Sequence, residues 1–274
     1  MKFIVEAIHK DNGQDRYIAA CRSRGLDVVV SQLSKTYEEQ FCALSGEVFG
    51  FGSIQLVDFL SHKAPNRSFT AWDKYRCVEY LTLFGDELVN RDYAMLPFGD
   101  IFRLRWELFG RFAVDTKVFI RPDASTKTFS GAVIDLQDLA SQLKAWSEYG
   151  TRSTDLVLVS RPLQLQGEWR FAVHPAGTKR VLAASSYRYQ GNATFVPGAP
   201  LDAFKYVENI LAKTPYAPDP IYMLDVAQLT DQSFRVVEPN ALSSSAPYAM
   251  DVGVVVDALL PLLGIDNSKP NAVS

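Results

Sequence analysis

The chain has 274 residues, 47% hydrophobic and 22% charged, which is the balance of an ordinary globular protein and excludes a disordered or fibrous one. A net charge of −3 excludes a general nucleic-acid-coating surface, which needs a strongly basic balance, although a local basic groove stays open. Cys21, Cys42 and Cys77 are odd in number and scattered, with no CxxC or Cys/His spacing. Neither a zinc site nor a disulfide framework is expected, and each cysteine reads as a small buried hydrophobe. The sequence opens directly on a strand-like run without a signal-peptide core, and no apolar run reaches the ~18 residues of a membrane span. A cytoplasmic protein of one or two domains is the expectation.

Residues 2–7 read as a strand, 14–24 as a helix capped by Gly25, and 26–30 as a second, buried strand. Residues 48–52 read as a third strand, and Gly52-Ser53 leads into a helix over 54–62. This order predicts a small α/β domain with a mainly parallel sheet. Ligands sit beyond the carboxyl ends of such strands, so Gly52 and Ser53 are either a ligand-facing turn or a tight turn only. A turn at 64–67 precedes an aromatic-rich helix over 73–84. Residues 88–93 read as a connection, which puts a boundary between an N-terminal α/β domain, 1–88, and a second domain, 89–274, itself divided near 160. A helix over 99–109 would bury Ile101, Leu104 and Leu108 and stop at Gly110. Arg103 and Arg105 lie off that face, as a solvated surface or as contacts for an anion.

The stretch from Val118 to Gly131 starts as an apolar strand, carries Arg121 at its end, and cannot continue past Pro122. A hydroxyl-rich loop follows, with Lys127 in it. A planar fork, a point charge and loop N–H groups together suit a polyphosphate, and they equally suit an ordinary surface turn. Asp135 opens a helix with Leu136, Leu139, Ala140 and Leu143 on its buried stripe, ending near Trp146. Residues 155–160 form a strand buried on both faces, broken at Arg161-Pro162. Residues 167–173 and 179–189 form an antiparallel pair, 201–213 a helix, 221–227 and 233–238 a second pair, and 250–260 a last helix that Pro261 perturbs.

Glu238 and Asn240 stand two apart at a strand end and share a face, and a hairpin brings Asp225 alongside. Two carboxylates and an amide oxygen suit Mg²⁺, which completes its octahedron with water and phosphate oxygens, and they equally suit solvated strand-end residues. In Glu168-Trp169-Arg170, residues 168 and 170 share a face, either as an ion pair or as contacts for a ribose and a phosphate. Tyr187 and Arg188 on the next strand carry the same ambiguity. Backbone groups freed at Ser160, Arg161, Pro162 and Leu163 either read an adenine edge or form an ordinary strand–loop junction. No GxGxxG, GxxxxGK[ST] or GxSxG occurs, and His9, His62 and His174 are scattered, so a Rossmann fingerprint, a Walker loop and a His-dependent triad are not expected.

Taken in order, Phe119-Ile120-Arg121-Pro122 with Lys127, Phe129 and Gly131, then Gly167-Glu168-Trp169-Arg170-Phe171, Leu224-Asp225-Val226 and Val237-Glu238-Pro239-Asn240 resemble the ATP-grasp superfamily. The nearest resemblance is to its R2K clade, marked by two arginines and a lysine, over roughly residues 90–260. The resemblance implies an α+β fold whose two subdomains grip ATP between antiparallel sheets, preceded by the small N-terminal domain. It implies that Arg121, Lys127 and Arg170 act on the phosphates, that Ser160 to Leu163 form the adenine hinge, and that Glu168 takes the ribose. Asp225, Glu238 and Asn240 would hold one or two Mg²⁺ ions. Many relatives carry lysine where Arg121 stands and an acidic residue where Ser160 stands. The usual earlier phosphate lysine has no certain counterpart, with Lys117, Arg103 and Arg105 all candidates. The implied activity joins a small-molecule or peptide carboxylate to an amine, or to a thiol, through an acyl phosphate. A catalytically silent ATP-binding module is the alternative. Ser53, Arg188 and the Ser243–Ser245 loop are candidate substrate contacts. A modified nucleotide as substrate, and a homodimer as assembly, stay open.

Overall fold

The computed structural model describes residues 1–6, 13–32 and 34–265. His9, and Ala7 at the end of the first expected strand, lie outside those residues. The first unit runs β1 (Lys2–Val5), α1 (Asp15–Arg22), β2 (Asp27–Val30), α2 (Tyr37–Phe41), β3 (Val48–Phe51) and α3 (Ile54–Lys63). Its sheet has the order β2-β1-β3 and is parallel throughout, as the strand–helix alternation requires. Helix α2 was not expected. A capping box between Thr36 and Glu39 starts it and Phe41 is its buried residue, which leaves Cys42 exposed rather than buried. Ser53 caps α3, its hydroxyl accepting from Leu56 N–H.

The expected helix over 73–84 is broken. Residues Trp72–Tyr75 form a 3-10 turn, Arg76 is extended, and α4 (Cys77–Phe84) starts after it. The expected connection at 88–93 runs into β4 (Tyr93–Pro97), a run with no clean alternation to announce it. The helix expected over 99–109 is displaced to α5 (Arg105–Phe112), and Gly110 sits inside it. Residues 98–100 form only a 3-10 turn, with Phe98 N–H bonded to Asp155 C=O and Gly99 N–H to Ser153 C=O instead of continuing into an α-helix. Left-handed turns at Asp115 and Thr116 then lead into β5 (Lys117–Pro122) and β6 (Ala132–Asp135), the latter not expected. After α6 (Leu139–Glu148) and β7 (Leu156–Ser160) a four-stranded antiparallel sheet closes in the order β4-β7-β5-β6.

The remaining elements are β8 (Leu165–Val173), β9 (Val181–Tyr189), β10 (Asn192–Ala193), α7 (Leu201–Lys213), β11 (Tyr222–Leu229), β12 (Phe234–Ala241) and α8 (Val252–Leu262). Pro261 falls in the last turn of α8 and does not shorten it. The strands form a five-stranded antiparallel sheet, β10-β9-β8-β11-β12. Strand alternation divides this sheet's side chains between two cores. Trp169, Phe171, Val173, Leu224 and Val226 pack with α4 and α7. Ala172, Met223 and Leu182 pack on the other face against β1, β3, α1 and α8. Farther along that second face the side chains become Glu168, Arg170, Asp225 and Glu238, and there the covering units leave a cleft.

Candidate active site

The cleft lies between the five-stranded sheet, the four-stranded sheet and the loop 123–131, with a volume of about 670 Å³. Five cationic side chains line it, Arg121, Lys127, Arg161, Arg170 and Arg188, against three carboxylates, Glu168, Asp225 and Glu238. The surplus of positive charge in a partly enclosed space favours an anionic occupant.

Sheet register builds the floor. Arg170 pairs across to Asp225, and Asp225 to Glu238, so the three side chains form one row on one face. The Arg170 guanidinium forks onto Asp225, with Nε to Oδ1 at 2.8 Å and Nη2 to Oδ2 at 2.7 Å, and its Nη1 donates to Ala246 C=O at 3.0 Å. Glu238 receives both of its cations from the opposite side. Arg121 reaches it from β5, and Lys127 Nζ from the loop lies 2.6 Å from Oε1. Lys127 Nζ also donates to Asn240 Oδ1 at 3.4 Å, and Asn240 Nδ2 donates to Asp225 Oδ2 at 3.2 Å. Lys127 holds a left-handed backbone with φ 45°, a conformation that costs energy for a side-chain-bearing residue and clusters at functional positions.

Burial raises the Glu238 pKa, but the fields of Lys127 and Arg121 overcome it and hold the carboxyl well below the usual range. Asp225 goes the other way: burial outweighs the Arg170 charge and pushes it up. Glu168 is also raised, by burial first, with partial relief from Tyr187 and Arg188. Tyr187 reaches it because the β8–β9 register slips by one residue between Glu168 and Trp169. Tyr187 OH donates to Glu168 Oε2 at 2.8 Å, and Arg188, more than half exposed, stands 3.4 Å from Oε1. The Arg170 guanidinium lies over the rings of Tyr248 and Tyr187, at 5.1 and 5.8 Å from their centroids. Tyr248 had no local signal in the sequence; it lines the cleft from a loop and is itself left-handed, with φ 52°.

The expected residues therefore separate into two groups. Arg121, Lys127, Arg161, Pro162, Leu163, Glu168, Arg170, Arg188, Asp225 and Glu238 meet in the cleft, and Asn240 touches it through Lys127 and Asp225. Lys117, Ser160, Ser53 and Ser243 are not among its lining residues. Ser160 is buried, its hydroxyl donating to Asn90 Oδ1. Ser243 is buried too, its hydroxyl accepting from Phe69 N–H and its carbonyl from Gly52 N–H. The Gly52 bond ties the first unit to this loop, and the Ser243 hydroxyl and carbonyl are both engaged away from the cleft. Ser53 spends its groups on the α3 cap, on Glu6 and on Tyr37. Lys117 is exposed at the start of β5. Arg103 pairs with Asp100 and Arg105 stacks on Phe102 and Trp106, away from the cleft.

Asp225, Glu238 and Asn240 present hard oxygen donors, which fit a divalent cation that brings water or phosphate oxygens of its own. Among the described residues no cluster of three or more His, Cys, Asp or Glu side chains could hold a metal alone. No helix of the described residues is long and apolar enough to cross a membrane.

Solved structures share this architecture. The D-cycloserine synthetase DcsG superposes with a TM-score of 0.61 at 14% identity, over 96% of this chain and 99% of that one. The D-alanine–D-alanine ligase of Bacillus anthracis gives 0.56 at 14%, over 97% and 93%. The N5-carboxyaminoimidazole synthetase of Staphylococcus aureus, complexed with ADP, gives 0.55 at 13%, over 88% and 69%. At these identities the likeness establishes the mixed α and β fold expected above. No curated protein sequence matches the chain. The family model of the ATP-grasp domain, R2K clade family 2, matches residues 105–258, more than half of the chain and all of the cleft floor, and the protein belongs to that family.

Proposed function

We propose that this protein is an ATP- and Mg²⁺-dependent ligase that joins a carboxylate to an amine or thiol through an acyl phosphate. The observation that carries the reading is the cleft itself. Cations from one sheet and a loop face oxygen donors on another, beside the strand end at 161–163, with no activated protein nucleophile among them. Phosphoryl transfer needs charge neutralisation and positioning more than it needs a nucleophile. In this reading residues 1–88 precede the grasp, and the cleft separates 89–160 from 161–274. Arg161, Pro162 and Leu163 flank the adenine, and Glu168 takes the ribose hydroxyls. Asp225, Glu238 and Asn240 would hold Mg²⁺, which when bound neutralises charge on the phosphate oxygens. Arg121 and Lys127 transfer their attraction from Glu238 to the phosphates, and Arg170, locked on Asp225, keeps a cation at the far end of the row. A carboxylate oxygen of the substrate attacks the γ-phosphorus, the bond to ADP breaks, and the amine then displaces phosphate from the acyl carbon.

One observation favours a second reading, a nucleotide-binding module without turnover: the charged groups of the floor are already paired with one another. Melting the protein with Mg²⁺ and ATP together, and with each alone, tests the shared part. A ligand at 100 times its Kd stabilises by about 2.7 kcal/mol. A shift that needs both supports nucleotide binding in this cleft, and no shift with any combination removes it. ADP and phosphate release across a panel of acids and amines then separates ligase from module. Lys127→Ala is expected to lower turnover by about 10²–10³-fold with the fold intact. Wild-type turnover in that variant would remove Lys127 from the chemistry.

A further inference from the structure

The loop carrying Lys127 is tied at its root to a segment that no part of the functional reading uses. Asp123 is buried, with its side chain 2% exposed, directly after β5. Its Oδ2 accepts from Arg76 Nε at 2.7 Å and Nη2 at 2.6 Å, and its Oδ1 from Val78 N–H at 3.0 Å, in the first turn of α4. Its backbone joins the same segment, the carbonyl accepting from Cys77 N–H at 3.1 Å. Two residues on, Ser125 Oγ donates to Trp72 C=O at 2.9 Å. Segment 72–78 is thus bonded to residues 123–125 along its length.

The far side of the loop is held separately. Phe129 stacks on Trp146 with centroids 3.9 Å apart, and Thr151 Oγ1 donates to Thr128 Oγ1 at 3.1 Å. Between the two anchors stands the exposed tip, Thr126 and Lys127, closed by Lys127 N–H on Ala124 C=O at 3.2 Å. A chain this short, held at both ends, has few ways to place its tip, so the root decides where the Lys127 ammonium stands. A buried carboxylate on a helix N-terminus with a bidentate arginine is a stiff root, because charge-assisted bonds and the helix dipole act together.

We propose that Arg76 and Asp123 are a positioning pair: they fix the root of the 123–131 loop and so hold Lys127 where it meets the phosphates. The proposal rests on the nucleotide reading above. Neither residue touches the reacting atoms, and Arg76 comes from the segment that links the first unit to the rest of the chain. Placement of the phosphate lysine is thereby connected to that unit's attachment.

The test is a double-mutant cycle between Arg76→Met and Lys127→Ala, read by calorimetric titration of Mg²⁺ with ATP and, separately, of adenosine. Arg76 is 41% exposed and methionine keeps an apolar stem, so the fold should survive; Arg76→Lys serves as the conservative variant. Arg76→Met is expected to weaken ATP binding about tenfold, leave adenosine binding unchanged, and have no further effect once Lys127 is alanine. Arg76→Lys should recover part of the loss. Hydrogen exchange at 124–130 should quicken in Arg76→Met without ligand. A protein that never binds ATP with Mg²⁺ overturns the nucleotide reading and this role with it. Wild-type protein that binds while Arg76→Met binds equally well, or effects that add in the cycle, overturns the positioning role alone.

Discussion

Glu238 holds two cations, Arg121 from the other sheet on one oxygen and Lys127 from the loop after it on the other. Its depressed pKa has a direct consequence for stability. The folded state binds the Glu238 proton less readily than the unfolded chain does, so the stabilisation is complete above about pH 5. It is lost as the pH falls below the ordinary value of 4.5 toward the folded one. The raised pKa of Asp225 acts with the opposite sign, weakening the fold while the group is ionised and recovering as acid protonates it. Glu238→Gln is expected to flatten the acid limb of urea denaturation between about pH 5 and pH 3, and an unchanged limb would assign the acid sensitivity to other carboxylates. At neutral pH the same variant leaves buried Arg121 without its counter-charge, at a cost of about 3–5 kcal/mol. Arg121 and Glu238 were legible as candidates because each stands beside a proline, and Lys127 because it lies in the loop between Pro122 and Gly131. That Ser160 and Ser243 turn inward was not legible, since a serine reads the same whether it faces solvent or closes a buried bond.

Among the elements, β5 and the loop after it set the cleft's second wall, and Gly131 sets the loop's exit. A Cβ there would stand 2.8 Å from Phe119 Cζ and 3.2 Å from Arg121 Cβ. Gly131→Ala should therefore cost about 1–3 kcal/mol in chemical denaturation, from overpacking under the cleft wall. A loss below about 0.5 kcal/mol would show that the Phe119 ring gives way. The strongly patterned elements fall close to where periodicity puts them, with α7 (Leu201–Lys213) as the clearest case. The displaced ones share a cause. Helix α5 is delayed by backbone bonds from 98–99 to 153–155, and β4 and β6 exist because neighbouring strands take their hydrogen bonds. Local propensity carries no information about such partners.

Over the whole molecule, the two faces of the five-stranded sheet do different work. One face is largely apolar, while the other is apolar where β1, β3, α1 and α8 cover it and charged where they stop. The first unit is therefore packed on the same sheet face that carries the site. Met223 lies fully buried in that shared core, two residues from Asp225 and on its side of the sheet. Met223→Ala should cost about 2–5 kcal/mol, and hydrogen exchange should quicken in β1 together with β11. Exchange that quickens in β11 alone would mean that the first unit keeps its own stability.

From the sequence alone came the α/β character of the first unit, the antiparallel pairs, and the ordered set of Arg121, Lys127, Glu168, Arg170, Asp225 and Glu238. Strand alternation and breakers are local, and Arg121, Glu168, Arg170, Asp225 and Glu238 sit on such signals, while Lys127 lies in the loop between Pro122 and Gly131. Tertiary structure alone decided which charges meet. Arg121 and Glu238 are 117 residues apart and Arg170 and Asp225 are 55 apart, and only sheet register and the facing of two sheets bring them within bonding distance. The same holds for Tyr248 over Arg170 and for Arg76 under Asp123, because a contact between distant segments is a property of the packed chain and leaves no periodic trace in the sequence.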